Sequence, residues 1–233
     1  MYKKRTIAAI IPALNEEGKI GTTVSKVPRK IVDDVLVIDD GSTDSTAKEA
    51  KAKGATVLVH EVNRGVGAAI RTGIEYALKK KYDICVVMGG DNQDNPGQIP
   101  VLLDPIIDEG YDFIQGSRYL YGIKQIPKFR RVTTKIYTLL FKVVCGYPMT
   151  DGSNGFRAFR TGIAKDINLD QRWLDRYELE PYFMLKAIKK GFKFKEAPVQ
   201  KFYREEGYTK MVPFKDWYSI LKPLLKELFR LNQ

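Results

Sequence analysis

The sequence predicts an α/β protein built on a mostly parallel central sheet with helices on both faces, and three observations carry that expectation. Short apolar runs at Thr6–Ile11, Asp34–Ile38, Ala55–His60, Asp83–Met88 and Phe113–Gln115 read as buried strands. Segments of helical length separate them, which is the alternation of a parallel sheet. Polar clusters follow three of these runs directly, at Pro12–Glu17, Asp39–Asp44 and Gly89–Asp94. Ligands of such sheets bind beyond the carboxyl ends of the strands, so the three clusters are expected to converge on one crevice.

The elements follow in order. Pro12 ends the first run, and Asn15-Glu16-Glu17 opens a helix to about Val27. The turn Asp39-Asp40-Gly41-Ser42-Thr43-Asp44 supplies an N-cap for a helix to about Lys53. Gly65–Lys80 is a helix whose Gly65, Gly67, Ala68, Ala69 and Gly73 allow close packing, and Pro96–Asp108 is helical. The second half is less regular. Ile136–Val144 reads as a helix, Asp151–Arg157 as a polar loop leading into a short strand, Glu178–Lys190 as a helix ended by Gly191, and Phe192–Val199 as a strand. A basic, glycine-containing segment, Lys201–Lys210, comes next. The tail, Pro213–Leu231, spaces Trp217, Ile220, Leu221, Leu224, Leu225, Leu228 and Phe229 along one helical face, with lysine and arginine on the other.

The 233 residues suit one domain, residues 1–211, with an amphipathic helix over residues 212–233. A formal net charge of +11 suggests an acidic partner: nucleic acid, anionic lipid or a phosphorylated substrate. Two cysteines make no disulfide framework, and Cys85 in its apolar run reads as a small buried hydrophobe. A reducing cytoplasm is the simplest setting. No segment approaches the roughly 18 apolar residues that span a bilayer, so any membrane contact is expected to be peripheral. Several chemistries are excluded. There is no phosphate-binding Gly-x-x-x-x-Gly-Lys-Ser/Thr loop, and Gly65-Val66-Gly67 lacks the third glycine of a dinucleotide fingerprint. One histidine, His60, supports neither a histidine-rich zinc site nor a histidine-based triad. The basic residues lack the aromatic interleaving of a nucleic-acid binder.

Met88-Gly89-Gly90-Asp91-Asn92-Gln93-Asp94-Asn95-Pro96 is the most informative segment. It places a carboxylate at the end of a buried strand beside two glycines, where a charged ligand is approachable. Magnesium takes oxygen ligands and commonly links one or two carboxylates to substrate phosphates, and Asp91 and Gln93 are the candidate metal ligands. The same residue types also make a turn before a helix with proline in its first position.

Taken in order, Ile11-Pro12-Ala13-Leu14-Asn15-Glu16, Val37-Ile38-Asp39-Asp40-Gly41-Ser42-Thr43-Asp44, the Asp91 turn and Gly116-Ser117-Arg118-Tyr119 resemble the family 2 inverting glycosyltransferases of GT-A fold. Asp151-Gly152-Ser153-Asn154-Gly155-Phe156-Arg157 and Arg204-Glu205-Glu206-Gly207-Tyr208-Thr209-Lys210 resemble segments of the dolichyl-phosphate mannose synthase and polyprenyl-phosphate hexosyltransferase branch. The resemblance covers about residues 5–212. It implies that Pro12, Leu14 and Glu16 line a nucleoside pocket and that Asp40, preceded by Ile38, contacts the base. Gly90, Asp91 and Gln93 would meet ribose, pyrophosphate and a divalent metal, Mg2+ or Mn2+. Arg118, Arg204 and Lys210 would hold phosphates. One of Asp39 and Asp40 is expected to cap the turn and the other to bind. The branch's turn is usually Asp-x-Asp, and here its first position is Gly89.

The implied reaction transfers a hexose, with inversion, from a GDP-mannose or UDP-glucose type donor to a polyprenyl or dolichyl phosphate. A phosphate monoester has a second pKa of about 6 and is already mostly dianionic at neutral pH. Such an acceptor needs cations and positioning more than a base, and Arg130 or Arg131 is expected to meet it. A hydroxyl acceptor would need a base, for which Glu178 and Glu180 are the candidates. Two alternatives stand beside this reading: a soluble family 2 transferase acting on a hydroxyl, and a non-catalytic nucleotide-sugar binder. The expected partners are the nucleotide sugar, the lipid phosphate, and an anionic membrane surface or membrane partner protein, with no nucleic acid. The expected location is the cytoplasmic face of the membrane.

Overall fold

The computed structural model describes residues 1–122, 126–203 and 215–229; Arg204 and Lys210 lie outside them. The described strands are β1 (Ile7–Ala13), β2 (Asp34–Asp39), β3 (Thr56–Val59), β4 (Ile84–Val87), β5 (Phe113–Ser117), β6 (Arg157–Arg160) and β7 (Phe194–Pro198). The helices are α1 (Ile20–Lys26), α2 (Thr46–Ala52), α3 (Val66–Lys79), α4 (Ile99–Asp108), α5 (Arg118–Tyr121), α6 (Lys128–Cys145), α7 (Leu179–Lys189) and α8 (Lys215–Leu228).

The strands form one seven-stranded sheet in the order β3-β2-β1-β4-β6-β5-β7. β1 pairs in parallel with β2 and β4, and β5 with β7, while β6 runs antiparallel between β4 and β5. The carboxyl ends of β1, β2, β4, β5 and β7 therefore share one edge. Strand alternation sorts the apolar residues into two layers. Ile7, Ala9 and Ile11 pack with Ile20 and Val24 of α1 and Leu102 and Ile106 of α4. Ala8 and Ile10 face the opposite cluster, which holds Ile74 of α3, Phe141 of α6, Phe183 of α7 and Leu224 of α8. Gly73 brings α3 onto β1, since a Cβ there would lie 2.4 Å from Ile10 Cγ2.

Three differences from the sequence expectation have physical causes. β1 runs through Pro12 to Ala13 because Pro12 lies past the end of the β4 pairing, which stops at Ile10 opposite Val87, so its missing N–H costs no ladder bond. The first helix starts at Ile20 rather than at Asn15. Asn15 and Gly18 adopt left-handed φ values of +49° and +76°. The N–H groups of Asn15, Glu16, Glu17 and Gly18 donate to the side chains of Ser42, Thr46, Asp44 and Glu49 instead of to a helix. α6 begins eight residues before the expected Ile136, at Lys128, and so carries Arg130 and Arg131.

α8 packs one face, including Leu224, against the body. Its charged residues are drawn inward too. Lys222 and Lys226 lie 5.4 and 4.6 Å from the Trp173 ring centre, and Glu227 pairs with Lys186 and Lys189. Trp217, Tyr218, Leu225, Leu228 and Phe229 are left exposed. α6 shows the same inversion. Thr134, Tyr137, Thr138 and Phe141 are buried, while Phe129, Val132, Ile136, Leu139, Leu140 and Val143 face outward. Phe129 and Trp217 join the two exposed faces, with ring centres 6.4 Å apart. Among the described residues no helix is long and apolar enough to cross a membrane.

Candidate active site

The strand ends bring four polar groups to one edge of the sheet. At the end of β2, Asp39 accepts a hydrogen bond from the Ser42 N–H at 2.9 Å and caps its own turn. Asp40 is buried and accepts from the N–H groups of Arg64 (3.0 Å) and Gly65 (2.7 Å), and it lies 2.7 Å from His60 Nδ1. Its carboxylate thus anchors the loop that opens α3. At the end of β1, Pro12 and Leu14 are half-buried, and the buried Glu16 pairs with Lys19 at 3.1 Å. Ile38 has no exposed surface and belongs to the core, so it supports Asp39 and Asp40 from beneath.

The third group is the turn after β4. Asp91 Oδ1 accepts from the Gln93 N–H at 3.1 Å, and Asp94 Oδ2 accepts from the Gly89 N–H at 2.9 Å. Gly90 sits against β1, where an added Cβ would lie 3.2 Å from the Pro12 carbonyl oxygen. Burial pushes the Asp91 carboxyl above its ordinary range, although Lys201 opposes that shift. Among the described residues no group of three or more His, Cys, Asp or Glu side chains stands where it could hold a metal ion. With Asp94 paired to Lys201, what the turn offers a metal is the Asp91 carboxylate and the Gln93 amide.

The fourth group lies beyond β5 and β7. Arg118 meets buried Asp151 through Nε (2.7 Å to Oδ2) and Nη2 (2.8 Å to Oδ1), and also donates to Ser153 Oγ and Tyr203 Oη. Asp151 is held in turn by its own N–H, which donates to Glu196 of β7 at 2.8 Å. Burial raises the Glu196 carboxyl pKa. The Arg130 guanidinium lies 5.4 Å from the Tyr203 ring centre, so α6 delivers it to this corner. Arg131 instead donates to the Ile126 carbonyl at 2.6 Å. Arg118, Lys201 and Tyr203 share the wall of a small cleft.

Of the sequence candidates, Asp91, Gln93, Arg118 and Arg130 therefore stand around one corner, with Pro12, Leu14, Glu16 and Gly90 beside it. Arg157 does not join them, because its guanidinium is buried against Glu180 (2.9 Å) and the Asn154 carbonyl. Glu180 is therefore paired, and Glu178 is buried at the start of α7. Asp151, Tyr203 and Glu196 escaped the sequence reading as site-building residues. Only Asp151 had a local signal, as the first residue of its loop motif.

An α/β sheet with a carboxylate turn after β4 and a cation-walled cleft near it suits a phosphorylated ligand at the strand ends. The chain belongs to glycosyl transferase family 2, whose pattern it matches over residues 8–167; it is a glycosyltransferase. The UDP-N-acetylglucosamine–dolichyl-phosphate N-acetylglucosaminyltransferase of Methanococcus voltae is 30% identical, covering 93% of this chain and 95% of that protein. The polyprenol monophosphomannose synthase of Mycolicibacterium smegmatis is 31% identical, covering 89% of this chain and 81% of that protein. Glucosyl-3-phosphoglycerate synthase from Mycobacterium tuberculosis, solved with Mn2+, UDP and glucosyl-3-phosphoglycerate, matches with a TM-score of 0.73 over 97% of this chain and 80% of that one, at 21% identity. The fold is GT-A, as expected from the strand-end motifs.

Proposed function

We propose that the protein transfers a hexose from a nucleotide-diphosphate sugar to a polyprenyl phosphate, with inversion, at the cytoplasmic surface of a membrane. The observation that carries this reading is the corner at the ends of β5 and β7, where Arg118, Lys201 and Tyr203 line a small cleft and Arg130 lies over the Tyr203 ring. A dianionic phosphate is already a nucleophile, and cations that hold it in line supply what the reaction needs. The relatives named for dolichyl and polyprenol phosphate point the same way. The donor nucleotide would lie along the ends of β1, β2 and β4. A Mg2+ or Mn2+ ion would be held by Asp91, with Gln93 and the diphosphate itself, and would neutralise the departing diphosphate. One carboxylate is enough for such a site, and affinity for the metal would be low. Arg204 and Lys210 are assigned here to the phosphates by resemblance alone. The test is a panel of nucleotide sugars incubated with polyprenyl phosphate and a divalent metal, read as lipid-linked sugar. Transfer only to a saccharide hydroxyl would reject it.

The acceptor chemistry gives a sharper expectation. Removing a charge-assisted contact in a water-poor site costs on the order of 2–4 kcal/mol, or roughly 30- to 1,000-fold in rate. Arg130→Ala is expected to lose turnover on that scale, while Glu178→Gln keeps most of it. Turnover with polyprenyl phosphate at neutral pH measures both, and a dead Glu178→Gln beside an active Arg130→Ala would point to a hydroxyl acceptor. Lowering the pH through about 6 should slow transfer as the acceptor takes up its second proton.

The inverted faces of α6 and α8 support the membrane surface. Six exposed apolar side chains on α6 adjoin Lys128, Arg130, Arg131, Lys135 and Lys142, the combination that binds an anionic lipid interface. Ile136→Glu with Val143→Glu is expected to abolish co-sedimentation with phosphatidylglycerol vesicles while leaving nucleotide binding in solution unchanged. Equal sedimentation of the variant and the parent protein would remove this surface from the proposal.

A further inference from the structure

The segment after β7 is fastened to the turn after β4. The Phe202 N–H donates to the Gln93 carbonyl at 2.7 Å, the Gln200 N–H to Gln98 Oε1 at 2.7 Å, and Asp94 and Lys201 form an antiparallel bridge. Lys201 Nζ donates to Asp94 Oδ1 at 2.9 Å, with both side chains largely withdrawn from solvent. Burial works against the ammonium, but Asp94 and Asp91 outweigh it and raise its pKa, so the residue stays charged. An ammonium has three donors, and among the described residues this one makes a single hydrogen bond. It also lines the cleft shared with Arg118 and Tyr203. Lys201 therefore stands between the carboxylate turn and the arginine corner.

The charge count of the turn explains what it can do there. Gly89 leaves Asp91 and Asp94 as the turn's carboxylates, and Lys201 offsets Asp94. A turn with one fewer carboxylate and a resident ammonium attracts a divalent cation less and a diphosphate more.

We propose that Lys201 is a substrate-contacting cation whose ammonium meets the diphosphate of the bound nucleotide, so that the nucleotide binds without a divalent ion. This rests on the nucleotide-sugar reading above and adds the residue that takes over part of the neutralisation. The alternative is that Lys201 does no more than pair with Asp94.

Calorimetric titration with UDP and with GDP, in EDTA and in Mn2+, separates the two. The protein is expected to bind one of them in EDTA within about tenfold of its affinity in Mn2+. Lys201→Met should lose at least tenfold in EDTA and less in Mn2+, and Lys201→Arg should keep most of the metal-free affinity. Gly89→Asp combined with Lys201→Met should bind only with metal. The double change Asp94→Asn with Lys201→Met controls for the pair, because it removes both charges and leaves neither buried alone. If that double variant regains parent affinity in EDTA, Lys201 acts only through Asp94 and the proposal fails. It also fails if Lys201→Met binds like the parent in EDTA, or if the parent binds only with Mn2+. Binding of neither nucleotide under either condition would overturn the nucleotide-sugar reading as well.

Discussion

Asp91→Ala is expected to abolish sugar transfer while leaving the fold intact. Asp91 is the one carboxylate of the β4 turn with no ion pair among the described residues, and its Oδ1 accepts only the Gln93 N–H. Nothing else in the turn would draw a divalent ion to the diphosphate, so the loss should reach at least about 1,000-fold, or about 4 kcal/mol of barrier. Stability should move the other way. Burial raises the Asp91 pKa, so the folded state holds the proton more tightly than the unfolded chain does, and stability is given up as pH rises through the folded value. At neutral pH that cost is already present, and removing the carboxylate relieves it. Urea unfolding and turnover on the same preparation test both halves. Full turnover of Asp91→Ala in a chelator would refute the metal role. The complementary change, Gly89→Asp, should tighten Mn2+ binding, because the new Cβ would crowd only the movable Asp91 carboxylate, 3.1 Å away, with Asp94 Oδ2 in ordinary contact at 3.6 Å.

Arg118→Ala should fail for a different reason. Asp151 has no exposed surface, and Arg118 supplies its counter-charge through two hydrogen bonds. Removing one partner of a buried pair strands the other, at a cost of about 3–5 kcal/mol. The urea midpoint should fall accordingly, and activity with it. Replacing both partners, Arg118→Met with Asp151→Leu, should recover much of the stability and none of the transfer. If the double variant turned over lipid phosphate, Arg118 would be a structural residue alone. Because Asp151 already occupies the Nε–Nη2 edge of the guanidinium, with Ser153 and Tyr203 on its amino groups, Arg118 would meet a phosphate only with the donor left on Nη1. Its part is as much to hold Asp151, Ser153 and Tyr203 in place as to bind.

Legibility followed burial. β1, β2 and β4 are continuous apolar runs because both of their faces are covered, and each was readable within two residues. β6 was less so: four residues, Arg157–Arg160, with a charge at each end, inserted antiparallel by a pairing no local pattern encodes. The first turns of α6 carried no helix expectation, because Lys128, Arg130 and Arg131 interrupt a stripe whose apolar members face outward rather than into the core. Asn15-Glu16-Glu17 carried a helix-start signal that the structure spends on the neighbouring turn. The carboxylate turn and Arg118 were visible as motifs. Asp151 stood in a motif as well, but its pairing with Arg118, like that of Tyr203, was not visible, since the two lie 33 and 85 residues away from Arg118 along the chain.

The fastening of Lys201 to Asp94 spans 107 residues, and it has a consequence for how the enzyme comes into being. Contacts of such long sequence separation form late in folding, because the intervening chain must first be closed. During synthesis β1 to β4 emerge and can pair long before β7 exists. The turn that would hold a nucleotide's diphosphate stays without its lysine until the last strand of the sheet is laid down. Donor affinity should thus report completion of the whole sheet, and a chain arrested before Pro198 should resemble the finished protein in its first four strands yet ignore the nucleotide.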